Sequence, residues 1–178
     1  MTTYSGDVLA PYNLHERISA NSATLGPTAP SGATIGTARG LQFAADNESV
    51  NFQFEVPESW DGASDIRFRV YWVPESGDAI ADTETVKWDL QYRSIDEGEA
   101  VDNGTAVTAT TTYTQSGAGT DKEFIVSDIV IDFDNVNQPV EAGDIIVAQF
   151  DRDVSGDTYS GDPIVLRWEI NVTATGLE

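Results

Sequence analysis

The chain has no cysteine, one histidine, one methionine and only two lysines in 178 residues. The missing cysteine excludes disulfides, thiolate metal sites and thiol nucleophiles. A single histidine, His15, excludes a multi-histidine zinc or iron centre. His15 also lies in an N-terminal stretch with no rigid scaffold, so it reads as a surface side chain and not as the base of a catalytic triad. No apolar run approaches the roughly 18 residues that a membrane-spanning helix needs. The opening MTTYSGDVLAPYNLHER has no basic region before an apolar core, so no signal peptide is read there. Basic residues are scarce as well: nine Lys and Arg face thirty Asp and Glu, for a formal charge of −21. A nucleic-acid backbone is gripped by clustered Lys and Arg, so direct nucleic-acid binding is excluded. No Gly-rich phosphate loop follows a strand and opens a helix.

What the chain does have is period-two alternation. The clearest stretch is Ile164–Val172, where Ile164, Leu166, Trp168, Ile170 and Val172 alternate with Val165, Arg167, Glu169 and Asn171. That pattern predicts a strand with one face in a core and one in water. The run Ile145–Arg152 precedes it across a polar loop and Pro163, and the two together suggest a long hairpin. Further strand-like runs are Ile35–Phe43 (interrupted by Gly36 and Gly40), Val50–Val56, Ile66–Val73, Thr85–Arg93, Ala106–Thr114 and Lys122–Phe133. Ala106–Thr114 is rich in threonine and weakly apolar, which suits an edge strand. Lys122–Phe133 is apolar on both parities, as expected of a strand covered on both faces or bulged near Ser127-Asp128. Residues 1–34 read as an irregular arm ending in a Pro/Gly/Ser/Thr connector, and residues 35–178 as one domain. About eight short strands with turn signals between them predict an all-β fold, a single eight-stranded jelly-roll sandwich or barrel. Its filling is expected from Phe52, Phe54, Phe68, Trp72, Trp88, Phe150 and Trp168, all on inward parities.

The carboxylates are spread from Asp7 to Glu178 and form no single motif. An acidic, lysine-poor surface of this kind is expected of a protein that stays hydrated in molar salt. The loop holding Asp151, Asp153, Asp157 and Asp162 offers hard oxygen ligands for Ca2+ or another cation. It lacks EF-hand spacing, so a solvated acidic loop is the preferred reading. The same applies to Asp132, Asp134 and Asp144. No cofactor is expected otherwise. Paired carboxylates could run glycoside hydrolysis. Among thirty acids such a pair has no specificity, and Asp89 and Glu169 are only the least exposed candidates. Arg67, Arg69, Arg93, Arg152 and Arg167 sit on strands among acids and read as their pairing partners. Trp60 and Tyr159 lie in loops, where they either stack on sugar rings or, the preferred reading, pack within the loops. Sequons occur at Asn47, Asn103 and Asn171.

In the C-terminal half, Gly143-Asp144 opens an apolar strand. Phe150-Asp151-Arg152-Asp153 follows, then Asp157-Thr158-Tyr159-Ser160-Gly161-Asp162 and a final apolar strand. This order resembles the C-terminal pattern of small structural proteins of viruses and phages. With the acidic surface and the strand count, the chain resembles the smaller major capsid protein of icosahedral, membrane-containing haloarchaeal viruses of the sphaerolipovirus type, over about residues 35–174. The N-terminal arm has no feature that matches that family. The resemblance implies a single upright jelly roll in a virion. Its partners would be itself and a larger sister capsid protein, next to an internal viral membrane, with no enzymatic activity and no catalytic residues. The alternative is a carbohydrate-binding β-sandwich module, such as a viral spike or extracellular domain.

Overall fold

The computed structural model describes residues 28–46, 48–102 and 104–173. Its strands are β1 (Ser31–Ile35), β2 (Ala38–Gln42), β3 (Ser49–Glu55), β4 (Ile66–Val73), β5 (Thr85–Ile95), β6 (Val107–Thr114), β7 (Ile125–Ile131), β8 (Ile145–Arg152) and β9 (Ile164–Asn171). They form two sheets, one ordered β1-β2-β9-β4-β7 and the other β3-β8-β5-β6, with every strand pairing antiparallel. Strands β2 to β9 thus divide into two four-stranded sheets, β2-β9-β4-β7 and β3-β8-β5-β6, in the strand order of a jelly roll. No described helix is long and apolar enough to cross a membrane. His15 lies outside the described residues, as do the sequon residues Asn47 and Asn103.

Inward parity fills the space between the sheets with rings. Phe52, Phe54, Phe68, Trp72, Trp88, Phe150 and Trp168 are all buried, as the alternation predicts. Phe52 stacks on Phe68 at 5.0 Å and Trp88 on Phe150 at 5.2 Å, while Phe43 and Trp72 meet Trp88 edge-on. Offset and edge-to-face contacts of this kind suit the ring quadrupoles and tie the two sheets together.

Four expectations change. The run Ile35–Phe43 is not one strand: Gly36, at φ +58°, turns it back, and β1 pairs with β2 as a hairpin. The boundary drawn at residue 34 therefore falls inside β1. Gly40 has its own reason, since a Cβ there would lie 2.5 Å from the Val165 carbonyl oxygen. Second, β8 and β9 do not pair; they lie in different sheets, and the loop between them crosses the sandwich. Third, the alternation in β9 breaks. A bulge against β4 between Tyr71 and Trp72 shifts the register, so Val165 enters the core where parity placed Leu166. Fourth, β7 keeps a regular register with β4 through Ser127 and Asp128. It buries Ile125, Ser127, Ile129 and Ile131 and leaves its other face open.

At one end of the sandwich, Arg152 at the end of β8 is fully buried. Its Nε donates to Asp157 Oδ2 at 2.7 Å, its Nη1 to the carbonyls of Phe43 and Gly161, and its Nη2 to Tyr159 O. The Asp157 side chain is as buried as the guanidinium. Removing one partner of such a pair leaves an uncompensated buried charge, which costs about 3–5 kcal/mol. We therefore expect Asp157→Ala to lower unfolding stability by about that amount in denaturant titrations. Arg67→Ala, at a side chain 60% exposed, should change it by less than about 0.5 kcal/mol. Equal effects for the two would refute this account of the loop.

Candidate functional site

The outer face of the β3-β8-β5-β6 sheet carries the polar parity of its strands. Register sets these side chains in rows across the sheet. Asn51 of β3 lies opposite Gln149 of β8, Gln149 opposite Gln91 of β5, and Gln91 opposite Thr108 of the edge strand β6. The next row runs Gln53, Val147, Arg93. Val101 and Ala106 flank these rows and with them line a groove of about 520 Å³. That volume is in the ordinary range of ligand sites. Arg93 holds this wall in place: its Nη1 donates to the carbonyls of Asp102, at 3.0 Å, and Gly104.

The row beyond the amides is acidic. Ser49, Asp151, Asp89 and Thr110 are successive cross-strand neighbours. Asp46 Oδ1 accepts from the backbone N–H of Val154 and Ser155, which fixes the 3-10 turn Val154–Gly156 over this end of the sheet. Lys87 Nζ donates to Asp153 at 2.5 Å and reaches Asp89 at 3.8 Å. The Ser49 hydroxyl and Asp89 Oδ1 are buried without a hydrogen-bond partner. The Asp151 carboxyl is pushed up to about 6, first by burial and then by the charges of Asp89, Asp153 and Asp46, with Lys87 opposing. Burial also raises Asp89 above the usual carboxylate range.

The cation loop read from Asp151, Asp153, Asp157 and Asp162 does not assemble. Asp151 belongs to the outer-face row, Asp153 accepts from Lys87, Asp157 turns to the buried Arg152, and Asp162 accepts from Gln42. A buried guanidinium with three carbonyl contacts organises this loop, and that places its carboxylates on different partners. Among the described residues no three His, Asp or Glu side chains are grouped so as to hold a metal ion. Asp89, Asp151 and the Ser49 hydroxyl fall short of the six to eight oxygens that Ca2+ takes. Asp144 is likewise spent in the fold, accepting from Ser94 Oγ at 2.6 Å and from Glu141 N. A side-chain hydrogen bond with Asp134, and after it burial and the Asp134 charge, raises Asp132.

Asp89 and Glu169 cannot act as a pair of catalytic carboxylates, because they lie on the outer faces of opposite sheets. Glu169 accepts from Tyr71 Oη at 2.9 Å and pairs with Arg167. Trp60 and Tyr159 are 4% and 2% exposed, so neither offers a ring to solvent. The arginines do pair with acids: Arg69 and Arg67 with Asp128, Arg152 with Asp157 and Arg167 with Glu169. Arg93 donates to the backbone carbonyls of Asp102 and Gly104. The amides that line the groove were not singled out from the sequence. Their signal there was only outward parity, and register brings them together from three strands.

No protein-family model matches the chain, and no curated protein matches it. Among solved structures it is similar to the CBM36-1 domain of a multidomain xylanase from the hindgut metagenome of Trinervitermes trinervoides. That match has 11% identity and a TM-score of 0.39 and covers 86% of this chain and 97% of that one. It is also similar to CBM28, a carbohydrate-binding module specific for non-crystalline cellulose, at 16% identity and TM-score 0.39, over 84% of this chain and 81% of that one. A third likeness is to dimeric latent PorU from Porphyromonas gingivalis, at 11% identity and TM-score 0.36, over 98% of this chain and 14% of that one. No residue is carried over from any of these.

A carboxyl that titrates near 6 when folded, and near the usual aspartate value of about 3.9 when unfolded, favours the fold in its protonated form. Its contribution is full below about pH 4 and is lost as pH rises through about 6. Asp128 and Asp153, both held low by their cationic partners, work in the opposite sense and lose their contribution as pH falls. We expect Asp151→Asn to melt higher than the parent at pH 7, with the gap closing toward pH 4. Parallel melting profiles over that window would refute the assignment.

Proposed function

We propose that the protein is a non-catalytic carbohydrate-binding β-sandwich whose ligand lies along the groove of the β3-β8-β5-β6 sheet. One observation carries this reading: the amide row of Asn51, Gln149 and Gln91 on the floor of an open groove. A planar amide offers both a donor and an acceptor, which matches sugar hydroxyls that do the same. The amides are uncharged, and the neighbouring Asp89 and Asp151 disfavour acidic sugars, so a neutral polysaccharide fits best. Val101, 71% exposed on the groove wall, and Val147 on its floor supply apolar contact for a pyranose ring. A rigid sheet holds the amides in register, which lowers the ordering cost of binding.

The virion-subunit reading shares the jelly roll, and a fold by itself does not choose between functions. It gives the groove no role, and for that reason carbohydrate binding is placed first. The observation that favours self-association is the apolar outer face of β7.

The test is a glycan array followed by calorimetry with soluble oligosaccharides. All four tryptophans are buried, so heat is a better readout than tryptophan fluorescence. Neutral oligosaccharides should bind saturably and uronate polymers should not. Gln149→Ala should weaken binding about five- to tenfold, the value of roughly one net hydrogen bond. No binding of any neutral glycan at millimolar concentration would overturn the proposal. So would affinity indifferent to both Gln149→Ala and Asn51→Ala.

A further inference from the structure

The acidic row on the outer face of the β3-β8-β5-β6 sheet is short of donors. Ser49 of β3, Asp151 of β8 and Asp89 of β5 are direct cross-strand neighbours in one register row. Such partners have Cβ atoms about 4.5–5.5 Å apart. Ser49 is fully buried, yet its hydroxyl has no hydrogen-bond partner. On the other side of Asp151, the buried Asp89 Oδ1 has none either. The cation beside this row is Lys87, whose ammonium binds Asp153 at 2.5 Å and reaches Asp89 only at 3.8 Å. Thr110, the next residue of the row on β6, is uncharged.

The same end of the sheet is covered by the 3-10 turn Val154–Gly156, and two carboxylates hold that turn. Asp46 Oδ1 accepts from the N–H of Val154 at 2.7 Å and of Ser155 at 3.3 Å. Asp153 accepts from Gly156 N at 2.9 Å while it binds Lys87. Asp46 and Asp153 are also two of the three charges that oppose ionisation of Asp151, the third being Asp89. A charge on Asp151 therefore repels the very acids that hold the turn down. Beyond the turn the chain is anchored on both sides: Asp153 N donates to Lys87 O, and Thr158 and Tyr159 N to Thr85 O. Movement is confined to the turn itself.

We propose that Asp151 and Asp89 hold one proton between them, and that its loss to water releases the Val154–Gly156 turn from the sheet. In the latched form Asp151 carries the proton, and its O–H is within reach of Asp89 Oδ1, the acceptor that lacks a partner. Asp89 keeps the negative charge, because Lys87 comes within 3.8 Å of it. When the proton leaves, the carboxylates of Asp46, Asp89, Asp151 and Asp153 face one ammonium. The bonds from Val154 and Ser155 to Asp46 give way first, since they are exposed and water replaces them at little cost. Burial and its acidic neighbours push Asp151 up to about 6, so the latch is closed below that pH and opens as pH rises through it. Lys87 holds Asp153 low, so that charge is present throughout the window. The inference does not depend on what the groove binds.

The experiment is amide hydrogen exchange on the intact chain from about pH 4 to pH 8 at fixed ionic strength, expressed as protection factors. Protection of the Val154 and Ser155 amides should fall about tenfold as pH rises through 6, the factor that one pKa unit of coupling represents. Amides of β4 should stay better protected at every pH, because the latch opens without unfolding the sheets. Asp151→Asn cannot ionise and offers Asp89 an N–H in place of the O–H, so the turn should stay protected at pH 8. Asp89→Asn should also keep it protected, since only one negative charge then remains in the pair. Protection of the turn that ignores pH would overturn the proposal, as would the same fall in both variants. Equal protection of the turn and β4 throughout would overturn it too, because the turn would then open only with the whole fold. Recovery of protection at pH 8 in KCl, but not in choline chloride of equal ionic strength, would replace the proton with a metal cation and so refute the assignment.

Discussion

The buried guanidinium of Arg152 is the interaction on which one end of the molecule depends. It takes a carboxylate from Asp157 and carbonyls from Phe43, Tyr159 and Gly161. These groups come from the chain leaving β2 and from the loop that carries the chain from one sheet to the other. A charge so deep is tolerated only when its donors are met, and the loop's shape is the one that meets them. Tyr159 is pinned by the same arrangement, with its hydroxyl donating to Asp78 O at 2.6 Å. A polar loop with three acids is thereby turned into a structural cap. Asp157 is spent on Arg152, Asp153 on Lys87 and Asp162 on Gln42.

The interior uses almost every large ring in the described chain. Trp72, Trp88 and Trp168 with Phe43, Phe52, Phe68 and Phe150 form a continuous aromatic layer between the sheets. The consequence for function is direct. The outer face of β3-β8-β5-β6 has no aromatic side chain left to offer, and what it presents instead are amides and small apolar groups. On the other outer face, Tyr71 and Phe124 are the exception, and they lie where β7 closes the sheet.

Charge divides the molecule in the same way. The acids lie mainly in the loops at the sandwich ends, while strands β4, β7 and β9 are close to neutral. Repulsion is therefore felt mostly at the ends, and the broad faces of the sheets are the surfaces on which another molecule can lie. The two faces differ in what they present: uncharged amides beside an acidic row on one, arginines with an apolar strip on the other.

Much of this was legible in the residues alone. Period-two alternation is a local property of a strand, and it correctly placed β3 to β6, β8 and most of β9, together with the rings that fill the core. Turn-rich spacing pointed to an all-β jelly roll, and the threonine-rich β6 to an edge. Pairing and register are not local. They unite residues such as Asn51 and Gln149, nearly a hundred positions apart, and alternation says nothing of which strand lies beside which. Hence the expected hairpin of β8 and β9 proved to be a crossing between sheets, and Asp89 and Glu169 fell on opposite faces. A single bulge in β9 exchanged Val165 for Leu166 in the core, because one extra residue in a strand reverses parity beyond it. The sequence alone determined which residues alternate and which are apolar. Only the tertiary structure decided which of the outward ones meet, because that depends on how the two sheets close around the rings they share.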